Sequence, residues 1–356
     1  MNAFVAVMLI FAAAGFVDKA LGGRFGLSES FERGLGIIPT MVIPIVSVCS
    51  VGAEFFSRHT DQVMALSGHL FFDPSMIIGA ILAPDLGGYY FCREIAADPQ
   101  LLVLSGVVLG TVLGQATTFQ IPVFMASIDK KDHPGMFRGF IVGMIVVPAG
   151  LLIAWPMIGM PAGLFLRQFL PVFLICMVIA AGLRWAPAAT GGCFSVFARF
   201  VNLMFYFMFA VAVLGIFVPK LAYTSPESVE EAVMISFKCA IVAAGALVMS
   251  ELILKFFRRQ IQMFADRIGI NEVAAVSLLL TCATSLAILP LYPRMDKKGK
   301  QVVTAFSMSG SFVFGGSMAF VSNVADGYTV LIFIVTKLVC GAISAWVICR
   351  MYRSDR

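Results

Sequence analysis

The sequence predicts an all-α polytopic membrane protein built from two inverted-topology repeats, each with one broken, re-entrant helix. Three observations predict it. Of 356 residues, 60% are hydrophobic and only 13% charged, with a mean hydropathy of +0.95; a soluble globular chain carries about twice that charged fraction. Mostly apolar stretches, each long enough for roughly 30 Å of hydrocarbon, recur from end to end. The polar stretches between them are short loops, which leaves no water-soluble domain. The formal charge of +5 therefore does not argue for a nucleic-acid partner; where the basic residues fall is what matters.

Eleven apolar segments lie at roughly 3–17, 35–57, 74–92, 101–126, 137–158, 163–184, 196–218, 232–255, 272–293, 302–322 and 328–349. Met1 to Val17 has no Lys or Arg ahead of its apolar run. It lacks the positive leader of a cleavable signal and reads as a retained first helix. If all eleven segments cross, the loop Lys and Arg divide 13 to 10 between the two sides, against the positive-inside rule. Two segments break. The third runs from Pro74 to Ala83 and stops at Pro84-Asp85-Leu86-Gly87-Gly88; the ninth stops after Cys282-Ala283 at Thr284-Ser285, with Pro290 and Pro293 beyond. Each intact arm has about ten residues, or about 15 Å of helix, half a membrane. If both are re-entrant hairpins the division becomes 19 to 4, with Lys238 and Lys337 inside helices. The prediction is nine crossings plus two re-entrant segments (eleven helices) in a bacterial inner membrane. The amino terminus is outside and the carboxy terminus cytoplasmic.

A shift of 198 residues lays Asp73-Pro74 on Asn271-Glu272, Asp98 on Asp296 and Gly143 on Gly341. At a shift of 201, Gly106, Gly110 and Gly114 meet Ser307, Ser311 and Gly315. Residues 1–160 form the first repeat, 161–195 a linking helix and loop, and 196–356 the second repeat. Five crossings separate equivalent points, so the second repeat is upside down and the two broken segments enter from opposite faces. That is a common plan of secondary transporters, with the substrate at the broken helices.

The arms' carboxyl ends point at the midplane, where carbonyls and the negative helix pole favour a cation. Asp85 adds a full charge. Gly87, Gly88 and Tyr89 follow it, and the aromatic run suits an ammonium group. Gln115, Thr284, Ser285 and Ser317 offer hydroxyl and amide partners. The expected substrate is a small cation that also bears a hydroxyl. Asp73 and Asn271 read as N-caps. Glu272 stands in a first helical turn, where it complements the dipole. Glu54, Glu251 and Lys238 lie near helix ends and can snorkel. Lys337, near the centre of the last helix, needs an acid or carbonyl partner, with Asp85 and Glu272 as candidates; it and Glu272 are assigned structural or coupling roles. The three His (His59, His69, His133) lie in loops. The eight Cys include no Cys-x-x-Cys pair and read as small core residues. No metal, no cofactor and no enzyme chemistry is expected. Partners are the substrate and membrane lipid, with a homodimer as the assembly allowed for and the coupling ion open.

The sequence resembles the EutH family, the ethanolamine permeases of bacterial ethanolamine-utilisation operons. The residues that carry the resemblance are Asp18-Lys19-Ala20-Leu21-Gly22-Gly23-Arg24-Phe25-Gly26-Leu27, Asp85-Leu86-Gly87-Gly88-Tyr89 and Ile128-Asp129-Lys130-Lys131-Asp132-His133. It continues in Gly269-Ile270-Asn271-Glu272-Val273-Ala274-Ala275, Phe312-Val313-Phe314-Gly315 and Lys337-Leu338-Val339. The resemblance implies protonated ethanolamine or a near relative as substrate, moved by a secondary transporter. Two departures stand out. Where the family has Ala-Asn-Asn, this chain has Ala283-Thr284-Ser285; where it has Gly-Asp-His after Phe-Gly, this chain has Gly316-Ser317. They imply that the substrate could be another small amine or polar solute. A facilitator channel is the alternative mechanism, and a membrane-embedded enzyme the least supported class.

Overall fold

The structure, a computed structural model, describes residues 3–59 and 70–354; the loop histidine His69 lies outside them. Among the described residues every regular element is helical. The chain begins with α1 (Ala3–Ala20), a short amphipathic α2 (Ser28–Leu35) and α3 (Ile38–Val46), which passes through a widened turn at Ser47–Gly52 into α4 (Ala53–Arg58). Next come α5 (Ser75–Ile81), a single turn at Pro84–Leu86 and α6 (Gly88–Ile95). Four long helices follow: α7 (Pro99–Ser127), α8 (Lys130–Ile158), α9 (Ala162–Trp185) and α10 (Pro187–Phe217). The last part holds α11 (Pro226–Phe256), α12 (Arg258–Ile268), α13 (Glu272–Ala283), a tight helical stretch at Ser285–Arg294, α14 (Lys297–Gly310), α15 (Gly316–Val324) and α16 (Gly327–Ser354). Among the described residues six helices are long and apolar enough to cross a membrane: α7 to α11 and α16.

The structure differs from the sequence expectation at 302–322. One helix was expected there, but the chain leaves helical form between Gly310 and Gly316, and Phe312 takes a left-handed backbone at φ 58°. Two nonlocal bonds open it. The Phe312 and Phe314 N–H groups donate to the carbonyls of Thr281 and Cys282 at the end of α13, at 3.0 and 2.8 Å. Gly315 permits this approach, because a Cβ there would lie 1.7 Å from the Ala283 carbonyl oxygen.

Both broken segments are hairpins closed at their bases. Asp73 accepts the N–H groups of Ser75 (2.9 Å) and, across the base, Ala97 (3.1 Å). In the second, Asp296 accepts the Asn271 N–H at 2.9 Å, and the Asn271 amide donates to the Arg294 carbonyl at 2.9 Å. The bases lie at opposite ends of α8. Gln100, just after the first hairpin, donates to the carbonyls of Ile158 and Gly159. Lys300, just after the second, pairs with Asp132 at 2.6 Å. The helix between those ends has 29 residues, about 43 Å along its axis.

The arms pack on the helices that follow them, α5 on α7 and α13 on α14. Small residues let the backbones touch: a Cβ on Gly114 would meet the Leu82 and Gly79 carbonyl oxygens at 2.2 and 2.5 Å. The sequence motif at 18–27 has a separate, structural task. The buried Asp18 carboxylate collects the N–H groups of Phe25, Leu27 and Ser28, which ties the α1–α2 loop.

Candidate functional site

α5 ends because Leu82 turns extended (φ −125°, ψ 133°) and Pro84 has no N–H to continue the ladder. Gly87, at φ 87°, then turns the chain so that helix resumes at Gly88. α13 ends in the same manner, with Thr284 extended at φ −158°, ψ 130°. Several of the carbonyls expected to be free at the two tips are engaged. The Ala83 oxygen accepts from Leu86 and Gly88 N–H, the Ala80 oxygen from the Thr117 hydroxyl at 3.2 Å, and Thr281 and Cys282 from the 312–314 segment. Asp85 adds a full negative charge at the tip of the first hairpin.

The tips share one cavity of about 430 Å3, within the range of small-molecule sites. Asp85 and Leu86 line it from the first hairpin, and Ala283, Thr284 and Leu286 from the second. Gln115 and Phe119 of α7, and Phe312, Gly315 and Gly316 of the interrupted helix, complete its inner wall. From there it extends to Arg33 of α2 and Glu251 of α11. Asp85 Oδ1 is buried with no hydrogen-bond partner. Its Oδ2 lies beside Gly316, 3.7 Å from where a Cβ would sit.

Behind this wall, Lys337 is the one Lys or Arg among the fully buried described residues. Its Nζ donates to the Thr111 carbonyl at 2.8 Å and to Gln115 Oε1 at 2.9 Å. The α7 turn is widened here, with the Gln115 N–H reaching back five residues to the Gly110 oxygen. Gln115 Nε2 donates in turn to the Ser317 hydroxyl at 2.9 Å. One amide thus joins a buried cation, the cavity wall and the second half. Asp85 and Lys337 attract each other without closing to the 4.0 Å of an ion pair.

Of the residues singled out in the sequence, the structure brings Asp85, Gln115 and Thr284 onto the cavity, with Ser317 one bond behind Gln115. Gly87 packs on Val48, and Gly88 on the Leu82 and Ala83 carbonyls. Tyr89 turns away, its hydroxyl donating to the Val324 carbonyl at 3.1 Å and its ring packing on Tyr90 and Phe320. Ser285 is buried behind the wall, its hydroxyl oxygen without a partner. Glu272 opens α13, twelve residues long, whose far end touches the cavity. Lys337 has neutral oxygens, not a carboxylate, as its hydrogen-bond partners.

Phe119 and Phe312, with rings 5.6 Å apart, supply the aromatic surface that sequence reasoning gave to Tyr89. Arg33 and Glu251 were also missed, although the 198-residue shift lays Glu54 one place from Glu251. Among the described residues no group of three or more His, Cys, Asp or Glu is placed to hold a metal ion.

The family model described as "Ethanolamine utilisation protein, EutH" matches residues 1–351. A probable ethanolamine permease EutH of Listeria monocytogenes is 27% identical over 98% of this chain and 95% of its own length. A Bacillus subtilis protein named "Uncharacterized protein YxeR" is 30% identical over 90% and 87%. A probable ethanolamine permease EutH of Escherichia coli is 26% identical over 94% and 91%. No solved structure matches the chain.

Proposed function

The chain belongs to the EutH family, and on that premise we propose that it carries a small protonated amino alcohol, ethanolamine first among them, across a bacterial inner membrane by alternating access. One observation carries the substrate class: a carboxylate, Asp85, stands on the wall of a cavity at the tips of both hairpins, with one oxygen lacking any partner. A carboxylate at that depth calls for a cation, and an alkylammonium is overwhelmingly charged near neutral pH. Asp85 takes the ammonium, while Thr284 and the Gln115 amide lie within the same cavity to orient a hydroxyl. Phe119 and Phe312 cover the carbon chain.

The inverted-repeat, re-entrant topology is part of this proposal. The closed hairpin bases at opposite ends of α8 and the shared cavity at the tips support it. So does an exchange of partners: α1 packs on α11 of the second half, and α10 on the Ser47–Gly52 turn of the first. Residues 1–160 and 196–356 are then the two repeats, with nine crossings and an outside amino terminus. The cavity reaches Arg33 and Glu251 on the face that carries most basic residues, so this conformation is open to the cytoplasm.

A second reading, a related amine in place of ethanolamine, is favoured by where the family departures fall. Thr284 lines the cavity and Ser317 holds Gln115, which lines it. Uptake of labelled ethanolamine in vesicles, with a panel of small amines as competitors, tests both readings. Asp85→Asn is expected to cut uptake below a tenth at equal expression; unchanged uptake in that variant removes Asp85 from the site. Acceleration by substrate preloaded on the far side marks a carrier, and its absence a channel.

A further inference from the structure

A groove of about 850 Å3 lies on the outer surface where α8 begins and α9 and α16 end. Among the described residues its charged lining shares one sign: Lys130 and Arg138 on α8 and Arg184 at the end of α9, with His133 between them. Asp129 pairs with Lys131 at 3.4 Å and Asp132 with Lys300 at 2.6 Å, and the Arg138 guanidinium lies over the Tyr352 ring at 5.9 Å. Below the basic cluster the lining is aliphatic, with Ile141 and Ile145 continuing the Arg138 stripe down α8. Ile145 is 50% exposed and Trp185, next to Arg184, 83% exposed. An exposed indole beside a helix end is the signature of headgroup depth. A second surface groove of nearly the same size, about 810 Å3, carries Lys238 and Asp326 together, so size alone does not bring uniform charge.

We propose that the groove between the ends of α8, α9 and α16 binds one anionic phospholipid, its phosphate among Lys130, Arg138 and Arg184 and an acyl chain along Ile141 and Ile145. Cations clustered at headgroup depth above a greasy channel match an anionic lipid in both charge and shape. A zwitterionic lipid presents an added cation to the same cluster and is disfavoured.

Thermal unfolding of the purified chain in detergent, titrated with phosphatidylglycerol, phosphatidylethanolamine or inorganic phosphate, tests it. Phosphatidylglycerol should raise the melting temperature saturably, and the other two should not. Each basic residue is worth roughly fivefold in affinity for an anionic lipid. The variant K130Q/R138Q/R184Q should therefore need roughly a hundredfold more phosphatidylglycerol, while R24Q/R259Q/R267Q behaves as the parent. Arg184→Gln alone, at an exposed helix end, carries the same test at about fivefold should the triple variant fold poorly. Equal stabilisation by phosphatidylethanolamine or phosphate overturns the proposal, as does an equal loss in the control variant. So does a shift from dimer to monomer in the groove variant with no lipid effect, which assigns the face to a second copy.

Discussion

The two hairpins share a plan and divide the chemistry. The first ends in an acid, Asp85, resumes as the regular helix α6, and leads into the unbroken α7. The second ends in the neutral hydroxyls of Thr284 and Ser285, continues through a tight stretch holding Pro290 and Pro293, and leads into a helix interrupted at 311–315. The first half therefore supplies fixed charge beside a continuous helix, whose turns are widened over 103–114 and 116–120. The second supplies polar side chains and a backbone whose hydrogen bonds are already rearranged, with α13 carbonyls held by Phe312 and Phe314 N–H groups. In an alternating-access carrier the second half is the side better suited to move.

Moving the charge across the cavity is the strongest way to break this comparison. Losing one partner of a desolvated charge pair costs about 2–5 kcal/mol, so Asp85→Asn should lower uptake efficiency on the order of a hundredfold. Adding Thr284→Asp to that variant places a carboxylate on the opposite wall and should recover about tenfold. No recovery would show that the first hairpin's rigidity matters as much as its charge.

The paired glycines come next. Gly114→Ala and Gly315→Ala each drive a Cβ into carbonyl oxygens of an arm, and overpacking costs about 1–3 kcal/mol. In the continuous α7 the new Cβ is wedged against two arm carbonyls, so G114A should reduce folded protein and melting temperature. At the break it can be relieved by a shift of the 311–315 segment, so G315A should keep its fold and lose transport. Both variants failing alike in a melting assay would contradict a second half whose break relieves strain that the first half keeps.

Lys337 offers a smaller, signed test. It shares the field of Asp85 with any bound ammonium, so the two cations compete. Lys337→Met should tighten amine binding several-fold while lowering the melting temperature, because Gln115 and Thr111 lose a donor and Asp85 its compensating charge. Weaker binding would instead make Lys337 a support for Gln115 alone.

What the sequence made legible follows the range of the forces involved. The breaks at Pro84-Gly87 and Thr284-Pro290 are local backbone events, written in residues that cannot continue a helix. Asp85 stood out as an acid within an apolar segment. The break at 311–315 was hidden, since a spaced run of small residues reads as a packing stripe, which is how Gly106, Gly110 and Gly114 behave in α7. Only the distant carbonyls of α13 open the helix there, and nothing in a phenylalanine announces φ 58°. Glu251 was lost because an acid near a helix end reads as snorkelling, and whether a cavity reaches it depends on α2 and α11 meeting. Tyr89 stood too near the break to be placed by spacing. Helix resumes at Gly88 and carries its hydroxyl to Val324.

The finest difference between the halves lies at the hairpin bases. Asp98 and Asp296 fall on each other at the 198-residue shift, and each caps the helix after its hairpin: Asp98 accepts the Leu101 N–H at 2.8 Å and Asp296 the Gly299 N–H at 3.3 Å. Asp296 has a second task, accepting the Asn271 N–H that closes the base. In the first half that closing bond belongs to Asp73 and the Ala97 N–H. Removing a cap costs about 1 kcal/mol, so Asp98→Ala should lower stability by about that much. Asp296→Ala also removes one of the two closing bonds, leaving Asn271 to Arg294, and should cost about twice as much, matched in the first half only by D73A/D98A together. Thermal unfolding of the four proteins in one detergent reads this directly. Equal losses for D98A and D296A would mean that the second hairpin is held at its tip, by the 312–314 segment, and not at its base.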